Sequence, residues 1–407
     1  MSNSIKTRIK KAASSGGMTG AFKMMGTYAI GALFKPLNAL SLSLFRKLPL
    51  KKNYIVLESE GDYADNVRVF YEYLLEHGYN RQYKLIWFVH DTSLYPKHEN
   101  VVFISRFHPF LTLRANYYTG VAGLFLFSHP YWLKNWRKGQ RVVDVNHGTA
   151  PLKQMTSPKD YKIFDRILCC SPYGRDIWSK VYKVPRKDTV ITGMPRIDLL
   201  YRHKDCIPLL FDRQEGKKII LSMQTFKQSV RVNDSEKPDP FALNIINKKD
   251  ELIKLDSFLT QNKMLMVVKI HHLQDMSLIN AADLESIKYI TDSDLFAADI
   301  QVNELVECAD VLLTDYSSVY YEYLLLDRPI GFLIGDINEY SRGFMIDDPL
   351  SMMPGKKIRT LTELTSFLSE CAEGKDDFAE DRRLLRDKMY TYQDGNNCDR
   401  LIKYLKF

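Results

Sequence analysis

Cysteine is scarce and scattered through the 407 residues. Cys169, Cys170, Cys206, Cys308, Cys371 and Cys398 include no C-x-x-C pair, which argues against a disulfide framework and a zinc knuckle and for a reducing compartment. Acidic residues are missing from positions 1–52, where ten basic side chains stand alone. The remainder carries 47 basic and 49 acidic residues, so the whole net charge of +8 resides in that leading segment. A nucleic-acid binder spreads its basic surface over its folded domains, so this distribution argues against nucleic acid as a partner. Long apolar runs are absent too. The run Met24–Phe34 is interrupted by Lys35-Pro36 before Leu37–Phe45, short of the roughly 20 residues a spanning helix needs. No small-residue cleavage site follows it, so it does not read as a signal peptide. A basic, apolar segment that cannot span is suited to lie on an anionic membrane surface; a solvated or domain-packed amphipathic helix is the bland alternative. No G-x-x-x-x-G-K-[ST] loop occurs, which excludes P-loop chemistry, and no internal repeats are found.

Aliphatic and aromatic residues make up 45% of the chain, and its length suits two domains. From Asn53 onward, short apolar runs alternate with amphipathic stretches. Strands are expected at Tyr54–Glu58, Lys84–Val89, Val101–Ile104, Leu124–Phe127, Arg141–Val145, Arg166–Cys169 and Thr189–Thr192. A helix is expected over Asn66–Leu75. A polar stretch, Tyr201–Lys217, reads as a linker. Further strands follow at Lys218–Ser222, Met264–Ile270, Ile287–Ile290, Val311–Thr314 and Pro329–Ile334, with a helix near Leu361–Cys371 and an exposed loop at Asn233–Pro240. Continuous apolar strands separated by helices predict parallel sheets covered on both faces. The expected layout is a basic amphipathic segment (1–52), a Rossmann-like domain (53–203), a second one (204–380) and a helical tail (381–407). Two such domains are expected to face each other across a ligand cleft.

Four motifs close predicted strands. In the first, Val311–Thr314 runs into Asp315-Tyr316-Ser317-Ser318 ahead of a helix from Val319. Serine hydroxyls beside free helix amides and a positive helix end suit a phosphate; simple helix capping is the bland alternative. In the second, His147 follows Arg141–Val145 and leads Gly148-Thr149-Ala150-Pro151-Leu152-Lys153. An imidazole of ordinary pKa about 6.5 suits removal of a proton from an attacking hydroxyl. Gly148 permits close approach, and Thr149 and Lys153 offer a hydroxyl and a positive charge. The third is Lys269-Ile270-His271-His272, where Lys269 and His271 can neutralise a diphosphate. Adjacent strand residues point to opposite faces, so His271 and His272 are poorly arranged to chelate one metal ion. The fourth is Gly193-Met194-Pro195-Arg196-Ile197-Asp198, where Arg196 and Asp198 can hold an anion or a hydroxyl, or merely form a turn.

These motifs resemble the CDP-glycerol glycerophosphotransferases of teichoic-acid and capsule synthesis. The resemblance covers about Tyr54 to Leu368. It rests on LLTDYSSVYYEYLLLDRPIGF (Leu312–Phe332), H-G-T-x-P-L-K at His147, G-x-P-R at Gly193, K-x-H at Lys269, SRGF at Ser341 and MPG at Met353. It implies a GT-B-type fold whose second domain holds most of the CDP-polyol. His147 is then the general base, His271 stands near the donor diphosphate, and Thr314, Ser317 and Ser318 form the diphosphate-binding turn, with Asp315 among them. The reaction implied is transfer of glycerol phosphate from CDP-glycerol to a lipid-linked or polymeric acceptor at the cytoplasmic face of the membrane; no cofactor is expected and no metal-binding residue is assigned. Where relatives commonly have Trp before the histidine, this chain has Asn146. A P-T-W-R run appears as Gln224-Thr225-Phe226-Lys227, and His272 replaces a proline. CDP-ribitol or another CDP-polyol therefore stays open as donor. A nucleotide-sugar glycosyltransferase of the same architecture and a non-catalytic membrane scaffold are the rival readings.

Overall fold

The computed structural model describes residues 26, 29–106, 112–128, 133, 135–155, 163–212, 216–225, 239–270, 284–337, 340 and 343–407. Its strands form two wholly parallel sheets. The first contains β1 (Lys51–Glu58), β2 (Lys84–Phe88), β3 (Val101–Ile104), β4 (Ala122–Phe127), β5 (Arg141–Asp144), β6 (Arg166–Cys169) and β7 (Thr189–Ile191), in the order β3-β2-β1-β4-β5-β6-β7. The second contains β8 (Lys218–Met223), β9 (Met264–Lys269), β10 (Ile287–Ile290), β11 (Val311–Thr314), β12 (Ile330–Leu333) and β13 (Lys356–Ile358), in the order β10-β9-β8-β11-β12-β13. Among the helices, α1 covers 29–45 and is followed by α2 (Asp65–Glu76), α3 (Leu113–Val121), α4 (Pro172–Tyr182) and α5 (Ile207–Leu210), with α7 (Asp292–Ala297) further on.

Every residue of β4 and of β9 is buried, the mark of a strand covered on both faces. In the second sheet one face packs against Leu252, Leu255 and Leu259 of α6 (Lys249–Gln261) and Leu364, Phe367 and Leu368 of α10 (Leu361–Ala372). The other packs against Leu305 and Val306 of α8 (Val302–Glu307) and Tyr320 and Tyr321 of α9 (Val319–Tyr323). Both sheets reverse direction in mid-order, beside β1 and beside β8. Such switch points open a crevice outside the strands' carboxyl ends, where doubly wound folds hold ligands.

The chain divides into two compact units, Met1–Val145 with Lys162–Arg166, and Asn146–Tyr161 with Ile167–Phe407. The strands match the sequence expectations to within a few residues at their ends, and β13 was not anticipated. The tail is two helices, α11 (Ala379–Met389) and α12 (Asn397–Leu405). The Asn233–Pro240 loop falls largely outside the described residues. In the first unit a helix, α1, covers residues 29–45 and continues across Pro36. It is held by one side: the Asn38 carboxamide accepts from Thr112 N at 2.9 Å and Asn116 Nδ2 at 3.0 Å, and Phe45 stacks edge-on with Tyr117.

Candidate active site

The second sheet's switch point lies between β8 and β11, registered Thr314 to Met223. The buried Thr314 hydroxyl donates to the Met223 carbonyl at 2.6 Å and so locks the two strand ends together. One residue on, the Asp315 carboxylate is wholly buried. It accepts from Thr225 N at 2.9 and 3.0 Å, from Thr225 Oγ1 at 3.0 Å and from Ser317 N at 3.0 Å. Asp315 thus ties the loop after β8 to the turn after β11. Tyr316 is sealed inside by Tyr340 and Phe344, and its hydroxyl donates to Asp336 at 2.9 Å. Burial pushes that phenol far above its ordinary range, keeping it a donor.

With its neighbours anchored, the turn holds Ser317 and Ser318 half-buried. Among the described residues neither hydroxyl hydrogen-bonds to another group, and Ser318 makes no side-chain cap. The helix it opens, α9, is only five residues long, and Tyr321 N already bonds Ser318 O at 3.2 Å. The dipole contribution expected from the sequence shrinks accordingly, because few aligned peptides stand behind the turn. The hydroxyls become the turn's open donors.

The histidine loop belongs to the same compact unit. Asn146 has a left-handed backbone, φ 64°, a conformation that Asn adopts far more readily than bulky residues. Its carboxamide donates to Leu168 O at 3.2 Å and accepts from His147 N at 2.8 Å, which fixes where the chain leaves β5. His147 is half-buried. Next to it, a Cβ built on Gly148 would lie 3.5 Å from Ser318 Oγ, so the histidine loop and the serine turn adjoin. Thr149 is buried: its Oγ1 pairs with Tyr390 OH at 2.8 Å and its carbonyl accepts from Trp178 Nε1 at 3.1 Å. It anchors the loop, and its hydroxyl faces no open space. Lys153 donates to Thr225 Oγ1 at 3.2 Å, while its strand segment bridges Phe344 and bonds Gly343 through Gln154 N at 3.0 Å. The His147, Thr225, Ser317–Ser318 and Gly343–Phe344 segments therefore converge.

Other motif residues are engaged elsewhere. Arg196 forms a part-buried ion pair with Glu322, which also accepts from Asn303 Nδ2 at 2.8 Å. The Asp198 carboxylate accepts from Asn397 N at 2.8 Å, Asn397 Nδ2 at 2.7 Å and Cys398 N at 2.8 Å, seating the start of α12; burial raises its pKa. Gly193 has φ 74°, and a Cβ there would stand 1.8 Å from Asn397 Oδ1. The G-x-P-R-x-D motif is thus the socket of the C-terminal helix. Lys269 is buried and donates to Asp292 Oδ1 at 2.6 Å. His271, His272, Ser341 and Arg342 lie outside the described residues, among which no cluster of three or more metal-ligating side chains occurs. Sequence reasoning met Thr225 only within the run that stands for P-T-W-R and gave it no role, and it passed over Trp178 and Tyr390, which carry no local signal.

Two doubly wound parallel sheets, with open serines at the second one's switch point, define a GT-B-type architecture. The sequence profile described as "CDP-Glycerol:Poly(glycerophosphate) glycerophosphotransferase" matches residues 40–406, and the chain belongs to that family. It is similar to a teichoic acid glycerol-phosphate transferase of Staphylococcus aureus, 26% identical over 406 residues covering 89% of this chain and 95% of the relative. It is also similar to a teichoic acid poly(glycerol phosphate) polymerase of Bacillus subtilis, 25% identical over 361 residues, 80% of this chain. The chain spans 44% of that polymerase's length, and 50% of that of a teichoic acid ribitol-phosphate polymerase, TarL, of Staphylococcus aureus. Among solved structures, the wall teichoic acid polymerase TagF superposes with TM-score 0.74 at 19% identity, over 94% of this chain and 97% of that one, which shows a shared fold.

Proposed function

We propose that this protein transfers glycerol phosphate from CDP-glycerol to a hydroxyl of a lipid-linked or polymeric acceptor, releasing CMP, in the synthesis of a teichoic acid or related cell-surface polymer. The observation that carries the proposal is the approach of the His147 loop to the Ser317–Ser318 turn, with neither serine hydroxyl bonded to another group among the described residues. The acceptor oxygen attacks the β-phosphorus in line, the bond from phosphorus to the bridging oxygen breaks, and CMP departs with that oxygen. His147 takes the acceptor proton, Ser317 and Ser318 donate to the diphosphate oxygens, and Lys153 adds positive charge beside Thr225. Positioning and charge stabilisation supply most of the acceleration in such a transfer. Arg196, Asp198 and Lys269 support the scaffold in this reading and touch no donor atom.

CDP-ribitol is the second reading, supported by the 24% identity to a ribitol-phosphate polymerase. Incubation with CDP-glycerol, CDP-ribitol and UDP-sugars in parallel, with a lipid-linked acceptor and mass spectrometry of the product, decides among them. Incorporation from a UDP-sugar alone contradicts the proposal.

The chain's working place is proposed to be the cytoplasmic membrane surface. No helix among the described residues is long and apolar enough to cross a membrane. α1 instead exposes Leu33, Leu37, Leu40 and Leu44, spaced four, three and four apart along one stripe. An adjacent side, with Asn38 and Phe45, is held by Asn116 and Tyr117, and every charged residue within 1–52 is basic. An apolar stripe flanked by cations suits anionic lipid.

A further inference from the structure

Of the six cysteines, Cys308 stands apart. Burial holds Cys169 and Cys371 up at about 12 and raises Cys170 and Cys398 as well. Cys308 is half-buried and held below its ordinary value, chiefly by a hydrogen bond from the Cys206 thiol, whose own pKa rises in consequence.

The two residues meet where a strap of chain crosses the end of α8. His203 Nδ1 lies 3.0 Å from Glu307 Oε1, Lys204 Nζ reaches Glu304 Oε2 at 3.0 Å, and Cys206 N donates to Cys308 Sγ at 3.3 Å. As the neutral thiol, Cys308 Sγ donates to the Lys204 carbonyl at 3.0 Å, a bond given up when the thiol ionises. Cys308 also lines an open cavity of about 960 Å³, together with Lys204, Lys217 and Arg328. This cavity borders Ile219 and Asp310, at the amino ends of β8 and β11, whereas the serine turn sits at their carboxyl ends. A small polar oxidant thus has a route to one sulfur, while Cys206, fully buried, waits behind it.

We propose that Cys308 and Cys206 form a redox-reactive dithiol that a hydroperoxide converts to a disulfide, fastening the 203–206 strap to the end of α8. The Cys308 thiolate attacks the peroxide's terminal oxygen, the O–O bond breaks, and the departing oxygen takes up a proton as water or alcohol. The sulfur of Cys206 then attacks the resulting sulfenic acid, the S–O bond breaks, and the hydroxyl leaves as water with the Cys206 proton. Two thiols have lost two electrons and one peroxide has gained them.

The test treats the full chain with hydrogen peroxide under native conditions, alkylates the remaining thiols in denaturant and maps the peptides by mass. A peptide pair joining Cys206 to Cys308, lighter by two hydrogen atoms and restored by dithiothreitol, is the expected result. Cys206→Ser should strand Cys308 as a sulfenic acid that dimedone captures, and Cys308→Ser should leave Cys206 fully alkylatable. Recovery of both wild-type cysteines as alkylated thiols would overturn the proposal. So would oxidation of Cys308 to the sulfinic acid beside a reduced Cys206.

Discussion

Gly148→Ala isolates the gap between the histidine loop and the serine turn. Gly148 does not occupy the left-handed backbone region, so alanine brings no conformational strain there. The added methyl meets Ser318 Oγ at 3.5 Å, an ordinary contact, and the cost to stability should stay within about 1 kcal/mol. The effect on the donor should be much larger. A phosphate oxygen bonded to Ser318 Oγ must approach to about 2.7 Å, and a carbon in van der Waals contact with that oxygen excludes it from the shared side. A hydrogen bond to a charged group is worth roughly 1.5–3 kcal/mol, which converts to about a 10- to 150-fold loss in kcat/KM for CDP-glycerol. The assay is CMP release at varied CDP-glycerol, with the melting temperature measured on the same preparation. Wild-type kcat/KM in a normally folded Ala variant would refute the reasoning, because the gap would then hold no reacting phosphate.

The remaining predictions concern other parts of the molecule. Ser317→Ala with Ser318→Ala should weaken donor binding by at least roughly tenfold in isothermal titration without lowering the melting temperature, since neither hydroxyl bonds to another group among the described residues. Asp198→Ala leaves Asn397 N, Asn397 Nδ2 and Cys398 N without their acceptor and should cost about 3 kcal/mol or more, read by urea denaturation. Tyr390→Phe removes the bond that holds Thr149 and should lower kcat more than it raises KM, with about 1 kcal/mol of stability lost. Replacing Leu33, Leu37, Leu40 and Leu44 by Ser should reduce partition onto anionic vesicles by roughly 100-fold or more, measured by sedimentation; unchanged binding would remove α1 as the contact.

Much of the fold was legible because its strands are buried on both faces and read as unbroken apolar runs, as in Met264–Lys269. β13 escaped because it is an edge strand of three residues, two of them lysines. The Lys35-Pro36 interruption was read as ruling out a long apolar span. Helix α1 nevertheless crosses it, since Pro36 is exposed and water can satisfy the carbonyl left without a donor. For the site, sequence located the motifs at strand ends, but it could not tell an open polar group from an occupied one. Thr149 finds its partner 241 residues away and Asp198 finds its own 199 away. Such pairings leave no local trace, so residues of apparently similar chemistry divide into loop anchors, such as Thr314 and Asp315, and open groups, such as Ser317 and Ser318.

The most direct measurement is the rate of CMP release from CDP-glycerol, with a lipid-linked acceptor, by His147→Ala beside the wild-type protein. Loss of the proton acceptor should lower kcat by about 100-fold or more while donor binding and melting temperature hold. Turnover at the wild-type rate would contradict the account, for the adjoining histidine loop and serine turn would then not be where the phosphate is transferred.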